Sequence, residues 1–440
     1  MKAFYGKLPT ILLILVLFVL IFPVLQTSFR FCKIDPLKGA ISVPDQKNIS
    51  IEKWFSGEYQ LADEDYLNET FGFRSVFVRI NNQIAFTFFN KAKANGVIIG
   101  KKNYLFEENY IKAYYGTDFI GKDSIRKRMS KLKFIQDTLS KLNKDLIIVF
   151  AAGKGSFYPE YFPDKFKTKK SITNYEEHLI LAEKLGLNYI DFNKYFIDQK
   201  DNSPFPLYPQ YGIHWSYYGM CLATDSLIKY IENERGIDMP NIYWDSIVID
   251  DPKDTDYDIA DGMNLKFKLN SFKMAYPIVK FESDSGKQKP SVLVISDSFY
   301  WGIFDLGLTR VFSKNHFWFY NKQIYPESFQ TPLETTQLKI REQILKHDVI
   351  IIMATEATLP KLGWGFIERA YAMYTDTLFE EIIEEVVQPI VKDSIDQLRS
   401  IIRADRDWMK SIEEKAAKRK ISVDSMLTLD AIWIIEHQNN

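Results

Sequence analysis

The chain has 440 residues, room for up to about three domains or for one large α/β domain with appendages. Its 56 basic and 57 acidic residues leave a net charge of −1, which excludes a broadly basic nucleic-acid surface and an acidic tail. Hydrophobic residues at 46% and charged residues at 26% are enough to bury a sizeable core. Aromatics at 15% favour wide apolar packing or a carbohydrate-handling cleft. Cys32 and Cys221 are too few for a disulfide scaffold or a Cys-based metal site.

Ile11 to Phe22 is unbroken apolar sequence, extended by Leu8 before it and by Val24 and Leu25 after Pro23. The run approaches the ~20 residues that span ~30 Å of hydrocarbon. Lys2 and Lys7 precede it, as a cytoplasmic end requires; Arg30, Lys33 and Lys38 follow, so the orienting charge bias is small. A cleaved signal peptide is the alternative. No small-x-small site follows Leu25, so an uncleaved anchor over residues 1–30 is favoured, and either version exports the remainder. The expected location is the cell membrane, single-pass, with the main domain in the periplasm or extracytoplasmic space.

Residues 31–53 read as a stalk, and Trp54 to Asn90 as aromatic-rich and partly helical. Val97 to Gly100 and Tyr104 to Phe106, around the polar Lys101-Lys102-Asn103, predict a β-hairpin. Ile125, Met129, Leu132, Ile135, Leu139 and Leu142 fall on one helical face, with Asp123 or Ser124 as the N-cap. Leu146 to Ala151 is continuously apolar, as in a strand buried on both faces. A helix near Tyr175–Leu185 closed by Gly186, a strand Tyr189–Phe192, and a helix Ser216–Ile231 capped by Ser216 come next. Val292–Ile295 and Val349–Ala354 are two more buried strands. This alternation predicts a doubly wound, mainly parallel α/β sheet with helices on both faces. From about residue 376 the chain reads as a helical appendage. Val387, Val391, Ile395, Leu398 and Ile402 make one stripe, Trp408, Ile412 and Ala416 start another, and Pro389 bends the first helix or lies near its start.

Three signals carry chemistry. Ser296-Asp297-Ser298-Phe299 directly follows a strand, at the carboxyl edge where open α/β sheets bind ligands. A serine there suits nucleophilic work, and an ordinary Ser/Asp helix cap is the plainer alternative. His214, in Gly212-Ile213-His214-Trp215-Ser216, lies in a loop before a capped helix. It is of the type that activates a serine or else is simply hydrogen-bonded in its loop. Lys154, with Gly153 and Tyr158-Pro159-Glu160, adds a cation at the same edge, whose default is a solvated loop. His178 falls in a helix, and His316, His347 and His437 are expected to be structural or exposed. No two histidines have the spacing of a zinc helix, so no metal and no cofactor are expected.

Together these pieces resemble the AlgX/AlgJ-type SGNH-hydrolase-like family of exported polysaccharide O-acetyltransferases, from about Trp54 to Ile367. Phe71-Gly72-Phe73-Arg74 followed by the hairpin is similar to the family's opening segment. Lys154 with Tyr158-Pro159-Glu160-Tyr161-Phe162-Pro163 resembles its Lys and Tyr-Pro-Glu block, and His214-Trp215-Ser216 its Asp-x-His-Trp-Thr block. Asp258-Ile259-Ala260-Asp261 and Ser296-Asp297-Ser298-Phe299 resemble its acidic segment and its Gly-Asp-Ser-Phe block. The resemblance implies an SGNH-hydrolase-like, flavodoxin-like domain over 54–375, with the C-terminal helical region at 376–440. It implies Ser298 as the nucleophile and His214 as its base. The family's aspartate two residues before the histidine is Gly212 here; Ser296 replaces its glycine, and Gly153 stands where proline or aspartate is common. The missing carboxylate leaves Asp258, Asp261, Asp297 and Glu356 as unranked substitutes, with Lys154 as site support.

The function implied is O-acetylation of an envelope or extracellular polysaccharide through an acyl-serine, as in alginate biosynthesis. The acetyl group would come from a membrane-bound O-acyltransferase partner, since acetyl-CoA is absent outside the cell, and the acceptor would be a polysaccharide. An exported acetylesterase using the same pair is a second reading. A catalytically silent glycan-binding or assembly subunit, favoured by Gly212, is a third.

Overall fold

The structure is a computed structural model, describing residues 8–39, 44–46, 48–375, 398–400, 402–419 and 421–438. Helix α1 (Leu8–Phe29) carries exposed apolar side chains along its length and is long and apolar enough to cross a bilayer. Helices α2 (Ile51–Ser56), α3 (Glu58–Thr70) and α4 (Arg74–Phe89) follow. Gly72, between α3 and α4, touches the end of α1 so closely that a Cβ there would stand 2.3 Å from the Pro23 oxygen. The stretch after α1 packs along the domain: Lys38 N–H donates to Asn264 Oδ1 at 2.8 Å, and Arg79 donates to the carbonyls of Asp35 and Pro36.

The hairpin forms as predicted, with β1 (Val97–Ile99) antiparallel to β2 (Leu105–Glu107). Helix α5 (Glu108–Tyr115) and helix α6 (Lys122–Ser140) come next. Helix α6 buries Ile125, Met129, Leu132, Ile135 and Leu139, but it differs from expectation at both ends. Its N-cap is Gly121, at φ 88, so Asp123 and Ser124 lie inside its first turn. It stops at Ser140, where the chain turns through Asn143 at φ 56; Leu142 therefore leaves the stripe and is 46% exposed.

Strand β3 (Asp145–Ala151), short helix α7 (Lys154–Phe157), helix α8 (Asn174–Leu185) and strand β4 (Tyr189–Asp191) follow. Gly186, at φ 62, ends α8 as expected. Phe192 is not in the strand; it opens helix α9 (Phe192–Gln199), because the Asp191 carboxylate accepts from Lys194 N–H and caps a helix there. Ser216 caps helix α10 (Tyr217–Arg235) by accepting from Gly219 N–H, and the helix runs past Ile231 to its stop at Gly236. Helix α11 (Asp258–Gly262), strand β5 (Ser291–Ser296), helix α12 (Phe299–Asp305), strands β6 (Lys314–Phe319) and β7 (Gln323–Tyr325), and strand β8 (Val349–Thr355) complete the domain core.

Among the described residues the main sheet has six strands in the order β7-β6-β5-β8-β3-β4. Every neighbouring pair is parallel except β6–β7. Strands β6 and β7 are absent from the sequence-based expectation. The predicted doubly wound architecture is otherwise the one observed. Alternate strand residues feed two cores. Val149, Val294 and Ile351 pack with residues of α9, α10 and α12, while Ile148, Ile295 and Ile352 pack with residues of α6, α8 and a helix over 366–375. Each such burial contributes about 1.5–3 kcal/mol, so the β5, β8 and β3 ends are firmly held.

Helices α13 (Arg406–Arg419) and α14 (Val423–Gln438) form a separate small core in which Ile402, Ile412, Ala416, Met426 and Leu427 are buried. Leu398 and Trp408 pack against it. The expected stripe positions Val387, Val391 and Ile395, and Pro389, lie outside the described residues.

Candidate active site

Ser298 follows β5 and precedes α12, so its side chain emerges at the carboxyl edge of the sheet. Its Oγ is 3.0 Å from His214 Nε2. His214 precedes α10, and its Nδ1 is 2.5 Å from Asp258 Oδ2 at the start of α11. The other Asp258 oxygen accepts Ile213 N–H at 2.9 Å, so one carboxylate fixes both the loop and the ring. A carboxylate only accepts, which puts the imidazole proton on Nδ1 and leaves the Nε2 lone pair for the serine hydroxyl. Phe299 packs on the imidazole, with ring centroids 4.7 Å apart.

Burial pulls the His214 pKa down, but the Asp258 carboxylate, followed by Asp297 and Glu107, outweighs it, and the net shift is upward. Such a chain of carboxylate, imidazole and hydroxyl is the arrangement that activates a serine for attack and stabilises the imidazolium that forms.

Asp258 thus occupies the role left open at Gly212. That glycine has a steric reason: a Cβ there would stand 2.2 Å from the Thr255 oxygen and 2.9 Å from the Asp256 carbonyl carbon. A side chain at 212 is incompatible with the way this loop packs on the segment leading into α11.

The remaining candidates sit elsewhere. Asp297 is buried beneath the serine and accepts from Phe299 N–H, Thr355 N–H and the hydroxyls of Thr355 and Thr358, tying β5 to β8. Asp261 pairs with Lys38 at 2.5 Å and lines a separate pocket with Tyr257 and Lys268, away from Ser298. Glu356 accepts from Ser156 N–H at 3.0 Å and from the Ser156 hydroxyl. It fills the space a side chain at 153 would need, since a Gly153 Cβ would lie 2.2 Å from its Oε1. Burial pushes Glu356 up to about 7.

Lys154 departs furthest from expectation. It is fully buried rather than solvated. Its Nζ donates to the carbonyls of Gln210 at 2.9 Å and Gly212 at 2.6 Å, holding the loop that carries His214. Burial pushes its ammonium down to about 7, against the pull of Asp258 and Glu107.

Ser298, His214 and Asp258 face a cavity of about 730 Å³, which Glu107, Tyr110 and Tyr320 also line. Tyr320 follows β6 at φ 50, a conformation costing a bulky residue about 1–3 kcal/mol. It lies against Ser298; burial, followed by the Asp297 charge, keeps its phenol protonated. Tyr320 does not stand out in the sequence because β6, which positions it, lacks a strand-like alternation. The available signal is the aromatic run Phe317 to Tyr320, one strand-and-helix interval after Ser296.

His178 is buried in α8, with Nδ1 2.7 Å from the Asn174 oxygen. His316 and His347 bond one another at 2.6 Å, toward the opposite end of the strands. Among the described residues no cluster of His, Cys, Asp and Glu side chains is placed to hold a metal.

Residues 97–241 match the family model for the SGNH hydrolase-like domain of acetyltransferase AlgX. The resemblance read from the motifs is thereby borne out over residues 97–241, where the fold is SGNH-hydrolase-like. The matched stretch contains Lys154 and His214; Asp258 and Ser298 lie beyond it. No curated protein matches the chain. Similar solved structures include the O-acetyltransferase domain of Pseudomonas putida AlgJ, at 12% identity and TM-score 0.42, covering 63% of this chain and 99% of that one. AlgX of Pseudomonas aeruginosa is 11% identical, with TM-score 0.40 and coverages of 65% and 71%. Bacillus cereus PatB1 with a sulfonyl adduct is 12% identical, with TM-score 0.36 and coverages of 56% and 93%.

Proposed function

We propose that this chain is an exported, membrane-anchored O-acetyltransferase that moves an acetyl group onto a glycan hydroxyl through an acyl-serine. The observation that carries the reading is the hydrogen-bonded series Ser298, His214, Asp258. Ser298 Oγ attacks the acetyl carbonyl of the donor while His214 Nε2 takes the hydroxyl proton and then passes it to the leaving group. A glycan hydroxyl next attacks the acetyl-serine; His214 accepts its proton and returns it to Ser298 Oγ as the ester bond breaks. Tyr320, held neutral beside Ser298, is the side chain we assign to hydrogen-bond the oxyanion.

Helix α1 supports anchoring, and with it delivery of the acetyl group by a membrane-bound O-acyltransferase partner. The domain division 1–30, 31–53, 54–375 and 376–440 is part of the same proposal. The reading of a silent subunit loses its basis once Asp258 supplies the carboxylate that Gly212 lacks.

The test is intact mass of the full chain in detergent after exposure to an activated acetyl ester. A single acetyl adduct on Ser298, absent from Ser298→Ala and His214→Ala, is expected. Transfer of that acetyl to added oligosaccharide separates transferase from esterase, which would lose it to water. An adduct persisting in Ser298→Ala sinks the assignment.

A further inference from the structure

The cleft does not end at the serine. Asn109, Tyr320 and Thr358 line the cavity at Ser298 and also a second cavity of about 1050 Å³ that continues from it. Its wall holds a tryptophan in an uncommon backbone conformation. Trp364 has φ 43 and lies between Gly363 at φ 77 and Gly365 at φ 88. Its carbonyl accepts Asn321 Nδ2–H at 3.0 Å, and its indole meets the Tyr320 ring edge to face at 5.2 Å. A bulky residue in left-handed backbone persists only where its surroundings hold it there, and such outliers cluster at ligand sites. An indole with an apolar face and one N–H donor suits a sugar ring.

Charge reverses along the same path. The serine end is lined by Glu107, Asp258 and Asp297 against Lys38. The far cavity is lined by Arg128, Lys322, Lys361 and Arg369 against Glu368 alone. Arg128 is fixed by the carbonyls of Leu359 and Pro360, and Arg369 by that of Thr335. Lys322 and Lys361 are exposed and form no ion pair among the described residues. A net positive groove raises the local concentration of anions, and a neutral polymer would draw no benefit from it.

We propose that the second cavity is the acceptor subsite and that it takes a glycan carrying carboxylate or phosphate groups, with Trp364 as the sugar platform and Lys322 and Lys361 as the anion contacts. The inference rests on the O-acetyltransferase reading for the hydroxyl delivered to Ser298, but binding is measured without turnover. The full chain in detergent, as Ser298→Ala, is titrated with an oligogalacturonide, a glycerol-phosphate oligosaccharide and a neutral cello-oligosaccharide, at low and high salt. At least one anionic oligomer is expected to bind about tenfold more tightly than the neutral one, with affinity falling as salt rises. Lys322→Glu with Lys361→Glu is expected to remove that preference, and the same pair in the otherwise native chain to leave acetyl-Ser298 formation from a small activated ester unchanged. The carboxylate and phosphate arms identify which anion is read. Equal binding of the neutral oligomer, indifferent to the charge reversals, overturns the anionic class. No binding by any oligomer, while Ser298 still acetylates in the native chain, overturns the subsite. Anionic binding with no acetylation leaves the subsite standing and sinks the transferase reading instead.

Discussion

Asp258 reaches His214 from 44 residues further along the chain, and its two oxygens bond the imidazole Nδ1–H and the Ile213 N–H. The carboxylate therefore sets the tautomer, the ring orientation and the charge of His214 together. Asp258→Asn keeps the shape but offers one acceptor and one donor in place of two acceptors. Acetylation of Ser298 is expected to fall by ~10³–10⁴-fold, as when the acid of such a triad is neutralised. Stopped-flow acylation with an activated ester measures it, and a loss below about tenfold would remove Asp258 from the mechanism.

The same pair sets a pH dependence. His214 must be neutral to accept the serine proton, and its pKa stands above the ordinary histidine value of 6.5 because nearby carboxylates outweigh burial. The acid limb of the acylation rate is therefore expected above pH 6.5. In Asp258→Asn the largest raising influence is gone while burial remains, so the residual activity's limb moves to lower pH. An unmoved limb assigns it to another group.

Gly212 invites a misleading repair. Restoring an aspartate there, as the sequence resemblance suggests, puts a Cβ 2.2 Å from the Thr255 oxygen, which is backbone and cannot step aside alone. Gly212→Asp is expected to lower stability by about 1–3 kcal/mol or more through overpacking, and to reduce acylation rather than raise it. Urea melts and the acylation rate decide this; a stable, faster enzyme would refute the packing argument.

Much of the frame was legible because it is written in local pattern. Leu146 to Ala151 and Val349 to Ala354 are apolar runs with no polar alternation, and only strands covered on both faces bury them. Ser216 and Gly186 mark helix ends through chemistry confined to one turn. Ser298 and His214 stand out because each adjoins such an element. Asp258 does not, since its role depends on how α11 folds back onto the His214 loop, a contact no local pattern encodes. Lys154 looks like a surface lysine until the carbonyls of Gln210 and Gly212 come to meet it. Tyr320 was hidden because the aromatic run of β6 does not alternate.

Lys154→Met tests that support directly. The methionine fills the volume but donates nothing, leaving two buried carbonyls unbonded at about 1–3 kcal/mol each. A lower urea midpoint is expected together with slower acylation, because the loop carrying His214 loses its internal clasp. An unchanged rate alongside a lowered midpoint would make Lys154 a purely structural residue.

Glu356 gives a stability measurement independent of catalysis. Burial raises its folded pKa from 4.5 to about 7, so between those values the native state keeps a proton that the unfolded chain releases. Its contribution is full below the unfolded value and is lost as pH rises through about 7. The loss is roughly 3 kcal/mol, at 1.36 kcal/mol per pKa unit. Glu356→Gln cannot titrate, so its stability should fall less steeply than the parent's between pH 4.5 and 7. Asp256, also pushed up to about 7 by burial, acts alike in both proteins and cancels from the difference. Urea denaturation at pH 5 and pH 8 measures the two slopes. Parallel curves separated by a constant offset would mean that Glu356 does not change its protonation on unfolding, and that its bonds to Ser156 hold the carboxylate ionised throughout.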